Sequence, residues 1–208
     1  MAFMQYVKSS SSSKNYAYEV SVFKCGDNES NRMVAFFSAR GDIRFKNNNI
    51  TNNKCEYHSL IYSYLQGSSG SYNFSTFRDN NQTGGSSLAF VSDFDDSYNH
   101  TFSHCNVIGI KCGTDYGQML FTCWYTTNVD QCVFLNNTAV YMFHQDKEDY
   151  TLTISDSYIE VNTTTGSGNV TFNNLKENYD FNVFSHIYKE KCYIEKEKTI
   201  NNKISYFF

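Results

Sequence analysis

The sequence contains no proline in 208 residues, although average usage near 5% predicts roughly ten. A proline nitrogen cannot donate to a strand ladder, so its absence suits strands that pair on both sides. Codon bias in an AT-rich genome would give the same absence, along with the abundance of Asn, Lys, Tyr, Phe and Ile. No stretch approaches 18 consecutive apolar residues, so no transmembrane helix is encoded. The opening MAFMQYVKSSSSSKNYAYEV lacks the apolar segment of a secretory signal, because Gln5, Lys8 and the run Ser9 to Ser13 interrupt it. As written, the chain is expected to be soluble and leaderless. An excess of positive charge is also missing. The net charge is -4 and the pI about 5.7, which gives no basic stripe for nucleic acid. Near the end, Lys189, Lys191, Lys196, Lys198 and Lys203 alternate with acids and read as a solvated face.

What is present suits one folded domain. Hydrophobic residues make up 40% of the chain, and Tyr and Phe supply 35 (17 and 18) of its 36 aromatics, so bulky side chains are available for a core. Seven cysteines (Cys25, Cys55, Cys105, Cys112, Cys123, Cys132 and Cys192) leave at least one unpaired in a complete monomer, and their spacing matches no C-x-x-C zinc or redox motif. Eight N-x-[ST] sequons begin at Asn28, Asn49, Asn73, Asn81, Asn99, Asn136, Asn162 and Asn169, against about five expected by chance. Sequons point outside the cell and the missing signal points inside. A fragment of a longer surface protein would reconcile them.

Internal similarity comes from five segments that end in an Asn-containing turn: NNITNN around Ile50, STFRDNN around Phe77, CNVIGI around Val107, CVFLNN around Phe134 and SYIEVN around Ile159. These anchors lie 27, 30, 27 and 25 residues apart. Two places before them stand the compact residues Asn48, Ser75, Cys105, Cys132 and Ser157. Three places after stand Asn53, Asn80, Ile110, Asn137 and Asn162. Between anchors run VAFFS from Val34, LIYSYL from Leu60, LAFVSDF from Leu88, MLFTCWY from Met119 and AVYMF from Ala139, each followed by polar or glycine-rich sequence. The repeat reads as strand, polar turn, strand, Asn turn.

A period in this range marks stacked units that cannot bury their apolar faces alone. Leucine-rich repeats would need more leucine, and propeller blades normally take 40 residues or more. The reading is therefore all-β: a right-handed parallel β-helix, or solenoid, of about five coils with pectin-lyase-like architecture. Anchor and minus-two positions share a face, because side-chain direction repeats every second residue. Asn53, Asn80, Asn137 and Asn162 then form a structural ladder, since Asn tolerates left-handed backbone and can bond the equivalent amide of a neighbouring coil. The expected organisation is a flexible segment over 1–33 with a first partial coil where AYEVSVF alternates, β-helix repeats over 34–175, and a cap or tail over 176–208.

The phrases FKNNNITNNKC, FSTFRDNN, HCNVIGIKC and QCVFLNN resemble the Asn- and Cys-rich repeats of right-handed parallel β-helix proteins in large surface-protein families of parasitic protists. The resemblance spans roughly residues 34–175. It implies a cell-surface or secreted, adhesive role, with a glycan or a host or cell-surface protein as partner, although this chain shows neither signal nor anchor.

Candidate sites are few. Asp93, Asp95 and Asp96 in VSDFDDSYNH form the one compact acidic cluster in the repeats. Asp93 and Asp95 would share a strand face where calcium or a sugar could meet both, or they would line a solvated turn. No second group at a matching offset supports catalysis, so no catalytic residue is assigned. His100, His104, Cys105 and Cys112 come nearest to a metal constellation, but residues four apart on a strand share a face about 13 Å apart, so no metal site or cofactor is assigned either. Arg40, Gly41 and Asp42 spell a tripeptide that some integrins recognise, in a segment that also serves as a turn. Cys105 and Cys132 occupy one offset in adjacent coils, as a disulfide or as stacked buried thiols. The expected function is a non-catalytic repeat scaffold of unknown ligand. The alternatives are a polysaccharide lyase or hydrolase using the acidic cluster, and a fragment of a longer surface repeat protein.

Overall fold

The computed structural model describes residues 4–6, 14–26, 36–39, 42–57, 60–64, 69–91, 99–113 and 118–180. These residues contain no helix, and every strand pairing between them is parallel. The chain winds as a β-solenoid whose successive turns add one strand to each of three sheets. The first sheet stacks Met4–Tyr6, Phe36–Ala39, Ile61–Tyr64, Leu88–Val91, Met119–Cys123, Tyr141–Gln145 and Thr164–Thr165. The second stacks Lys14–Tyr18, Asp42–Lys46, Gly70–Asn73, His100–Ser103, Thr127–Asp130, Thr151–Ser155 and Asn169–Asn173. The third stacks Ser21–Phe23, Asn49–Thr51, Thr76–Arg78, Asn106–Ile108, Val133–Leu135 and Tyr158–Ile159. A short fourth ladder joins Lys54–Tyr57 to Asn81–Gly84.

The anchors are register partners in the third sheet, in the order Val22, Ile50, Phe77, Val107, Phe134 and Ile159. Ile50 through Phe134 are buried, whereas Ile159, on the last strand of that sheet, is half-buried. The apolar runs between anchors build the first sheet. Its inward column places Ile61, Leu88, Phe121 and Phe143 in register, and a parallel column places Ser63, Phe90, Cys123 and Gln145.

Each coil contains one strand more than the sequence grammar allows. Segments read as polar turns, among them TTNVD, supply strands of the second sheet. Their inward side holds a column of large residues, Phe45, Tyr72, Phe102, Val129 and Ile154, each between outward polar neighbours. A strand with one wet face is polar at every second position, and at four residues that alternation resembles a turn. Across the interior the rings meet those of the other sheets. Phe45 stacks on Phe77 at 6.1 Å, and Phe102 meets Phe121 edge-on at 5.4 Å. Such pairs contribute roughly 0.5–1.5 kcal/mol each beyond the area they bury.

Two left-handed residues turn the chain in most coils, and they bracket the third sheet. Three places before the anchor stand Glu19, Asn47, Phe74, His104, Gln131 and Asp156, with φ between 48° and 57°. Two places after it stand Lys24, Asn52, Asp79, Gly109 and Asn136. A single residue at positive φ bends the chain from one sheet to the next without a loop, so the third sheet needs only short strands. At Gly109 a Cβ would lie 2.5 Å from Asp79 Oδ1, the end of a half-exposed side chain that can move aside. The left-handed turn residue is thus the one before the ladder Asn, which leaves the ladder side chain free to bond along the stack.

The stack starts earlier than residue 34. Lys14–Tyr18 pairs with Asp42–Lys46 and Ser21–Phe23 with Asn49–Thr51, so the segment assigned as a flexible leader with a partial coil supplies strands to all three sheets. Its anchor Val22 is flanked by Val20 and Cys25 where later coils carry a compact residue and Asn, which hid it from the repeat. Most of the carboxyl-terminal segment, 181–208, lies outside the described residues.

Candidate functional site

Two side-chain ladders run along the axis and tie successive coils together at their corners. In the first, the amide of Cys25 donates to Asn53 Oδ1 at 2.9 Å, that of Asn53 to Asn80 Oδ1 at 2.9 Å, and that of Ile110 to Asn137 Oδ1 at 2.9 Å. Each Asn Nδ2 in turn donates to the anchor carbonyl of the preceding coil: Val22, Ile50 and Val107. One carboxamide therefore satisfies a donor and an acceptor that a corner would otherwise bury unpaired. Asn53 and Asn80 are buried, Asn137 is half-buried, and Asn162 is exposed beyond the last strand of the third sheet.

The second ladder uses the minus-two residues. Amides of Val20, Asn48, Cys105 and Cys132 donate to Asn48 Oδ1 (2.7 Å), Ser75 Oγ (3.1 Å), Cys132 Sγ (3.4 Å) and Ser157 Oγ (3.0 Å). Ser75, Cys105, Cys132 and Ser157 each donate back to the carbonyl two residues earlier, at 2.7–3.3 Å. The two cysteines thus do the work of serines and are free thiols. Burial, and then the neighbouring Cys132 thiol, push the Cys105 thiol well above its usual range. Burial, opposed by the Ser87 hydrogen bond, raises Cys112 to about 11, and burial is the main cause that takes Cys123 to about 12. Such thiols are poor nucleophiles and poor metal ligands at neutral pH.

The His and Cys residues of the 100–112 segment do not converge. His100 lies fully buried in the inward column of the second sheet, with its ring centroid 4.4 Å from that of Phe90, 4.9 Å from Tyr72 and 5.4 Å from Tyr125. Neither ring nitrogen has a hydrogen-bond partner, and burial lowers its pKa to about 3. His104 sits at a left-handed corner and stacks on Phe74 at 4.8 Å, with Lys46 Nζ 5.5 Å from the Phe74 ring. Cys112 Sγ meets Ser87 Oγ at 3.2 Å. Among the described residues no three His, Cys, Asp or Glu side chains form a metal-binding group. A shallow depression lined by Phe134, Asn137, Met142, Glu160 and Val161 encloses no room for a water molecule.

Asp93, Asp95 and Asp96 fall outside the described residues, as do Arg40 and Gly41. Asp42 opens a strand of the second sheet, and its carboxylate is held by Arg44 at 3.1 Å and by the Ser69 hydroxyl at 3.2 Å.

Polar side chains also line the outer face of the second sheet. One outward column runs Tyr16, Arg44, Ser71, Thr101, Asn128, Thr153 and Thr171, and a second runs Tyr18, Lys46, Asn73, Ser103, Asp130, Ser155 and Asn173. Short hydroxyls and amides dominate both. Several bond to one another: Ser103 Oγ donates to Asn73 Oδ1 at 2.8 Å, Asn73 Nδ2 to Ser71 Oγ at 2.7 Å, and Thr171 Oγ1 to Thr153 Oγ1 at 3.3 Å. Tyr16 and Tyr18, each about half exposed, close the face at its first strand. The repeat grammar did not point to this face, because it treated the underlying strands as turns. No family model, curated protein or solved structure matches this chain.

Proposed function

We propose that the chain is a non-catalytic β-solenoid scaffold of the surface or secreted, adhesive kind, which binds a glycan or a protein through the outer face of its second sheet. The observation that carries this reading is the division of polar groups. Inward and corner polar side chains are largely spent on holding coil to coil, while the second sheet presents a flat, regular array of short hydrogen-bonding groups to solvent. Strands about 4.8 Å apart set the pitch of that array. A ligand with many weak, evenly spaced contacts suits it better than a small molecule, which needs a concave pocket. Right-handed winding and pectin-lyase-like architecture belong to the same reading, supported by the near-universal right-handedness of parallel crossover connections.

The test is a binding screen over immobilised neutral glycans, uronate polymers and cell-surface preparations, with wild type compared to an Asn128→Arg, Thr153→Arg variant. These outward side chains can be enlarged without entering the core, so the variant should keep the wild-type melting temperature and lose binding. Uronate polymers and neutral glycans are also incubated with the protein with and without calcium. Glycan turnover that disappears in an Asp93→Asn, Asp95→Asn variant would replace the scaffold reading with the enzymatic one.

A further inference from the structure

The eight sequons divide by structure, and the division does not depend on what the scaffold binds. Seven of them start within the described residues, Asn28 being the exception. In four, both the Asn and the hydroxyl residue two places on are exposed: Asn99 with Thr101, Asn136 with Thr138, Asn162 with Thr164, and Asn169 with Thr171. In the other three at least one of the two side chains is buried or half-buried. Asn73 spends its carboxamide on Ser71 and Ser103, and its sequon partner Ser75 is buried in the minus-two ladder. Asn49 is half-buried with Oδ1 shut off from solvent, and its partner Thr51 is half-buried too. Asn81 is half-buried on a strand flanked on both sides, by Lys54 and by Lys111.

We infer that Asn99, Asn136, Asn162 and Asn169 are N-glycan acceptor sites, and that Asn49, Asn73 and Asn81 are not. The transfer needs an oligosaccharide on a polyprenyl diphosphate and the transferase that uses it. Asn Nδ2 bonds to the sugar C1, the bond from C1 to the diphosphate oxygen breaks, the diphosphate leaves with the electron pair, and one amide proton passes to a base of the transferase. The product keeps a single N–H on Nδ2 and carries a bulky polar group that has to stand in solvent. Asn73, whose Nδ2 is bonded to Ser71, and the half-buried sheet residues Asn49 and Asn81 do not meet that demand. The four exposed acceptors can, because their side chains stand in solvent and, among the described residues, none donates a hydrogen bond to a neighbouring coil.

Their placement has a consequence for the molecule. Asn99 precedes a second-sheet strand and Asn169 starts one, while Asn136 and Asn162 stand at or just past corners that follow the third sheet. All four belong to the later coils. Among the described residues the earlier coils, with Tyr16, Arg44 and Ser71 on the outer face, carry no accessible acceptor. Glycans at these four sites would thus be spaced along the solenoid from the fourth strand of the second sheet onward.

The experiment is expression of the full chain behind a cleavable leader in a eukaryotic secretory host. Both the secreted and the intracellular membrane-enclosed pools are collected, so that poor secretion does not hide the result. Enzymatic release of glycans converts each occupied Asn to Asp, which peptide mass spectrometry reads site by site. Occupancy of at least three of the four exposed sites, with Asn49, Asn73 and Asn81 empty, is the expected result. Single Asn99→Gln, Asn136→Gln, Asn162→Gln and Asn169→Gln variants should each remove one mobility step on a gel when that site is occupied. Fewer than three occupied sites, or sugar on Asn49, Asn73 or Asn81, overturns the assignment. The outcome is independent of the ligand screen, so either proposal can fail alone.

Discussion

Gly70 and His100 are register partners in the second sheet, and the imidazole occupies the space that a side chain on residue 70 would take. A Cβ on Gly70 would lie 2.7 Å from His100 Cδ2 and 3.2 Å from Tyr72 Cε2. The inward column therefore alternates in bulk, with Ile43, then no side chain, then His100, then Thr127. Gly70→Ala should destabilise the fold by about 1–3 kcal/mol through overpacking. Combined with His100→Ser it should cost clearly less than the two single changes added together. Equilibrium denaturation of the four proteins measures this coupling, and strict additivity would show that the ring is not what fills the gap.

The buried imidazole also makes stability depend on pH. The folded pKa of His100 is lowered to about 3 by burial, against about 6.5 for an exposed imidazole. The unfolded chain therefore binds the proton first. Stability is fully present above about pH 6.5 and is lost as pH falls toward 3, at about 1.4 kcal/mol per pH unit, or about 2 kcal/mol by pH 5. His144, also lowered mainly by burial but opposed by Asp146, adds a weaker effect of the same sign. Between pH 7 and 5, unfolding free energies of wild type should fall more steeply than those of His100→Leu. Parallel curves would contradict this account.

The Asn ladder predicts unequal costs for chemically identical substitutions. Asn80→Ala strands the amide of Asn53 and the carbonyl of Ile50, both within a buried corner. Two orphaned groups at roughly 1–3 kcal/mol each give a loss on the order of 2–4 kcal/mol. Asn162→Ala, at an exposed position, should change stability by less than about 0.5 kcal/mol. Thermal and urea melts of both variants would check the contrast, and similar losses would remove Asn80 from its assigned role.

The thiols are expected to behave as hydroxyl equivalents. Cys132→Ser keeps an acceptor for the Cys105 amide and a donor to the Asp130 carbonyl, whereas Cys132→Ala removes both. The serine variant should be the more stable by about 1 kcal/mol or more. In a Cys192→Ser background, a thiol reagent should label half-buried Cys25 first. It should reach Cys105, Cys123 and Cys132 only as the protein unfolds. Rapid labelling of Cys105 in the native state would refute the buried ladder.

The axial order of the fold was legible, and its cross-section only partly. Ile50, Phe77, Val107 and Phe134 stand out because a large residue, a compact one two places before it and an Asn or Ile three places after it recur together, and these are the positions that geometry forces to repeat. The second sheet was hidden, since strands such as Thr127–Asp130 hold one inward apolar residue among polar ones. The first coil was hidden for another reason: Val20, Val22 and Cys25 pack and pair as their successors do without using the same residues. Asn162 keeps the spelling of a ladder residue past the strand that would need it. The acidic cluster Asp93, Asp95 and Asp96 lies outside the described residues. The exposed hydroxyl face gave no sequence signal, because solvent tolerates almost any polar side chain and leaves no periodic requirement to read.

The parallel register also fixes how the molecule carries load. Backbone hydrogen bonds between coils point along the solenoid axis, and each coil is held to the stack only by the coils before and after it. A pull along that axis meets these contacts in series, so the chain gives way by peeling one terminal coil at a time. A pull across the axis instead loads the bonds of a whole sheet together and meets a much stiffer body. An adhesive element built this way would lengthen stepwise under tension and shed force in small instalments, while it resisted shear applied through its flat side.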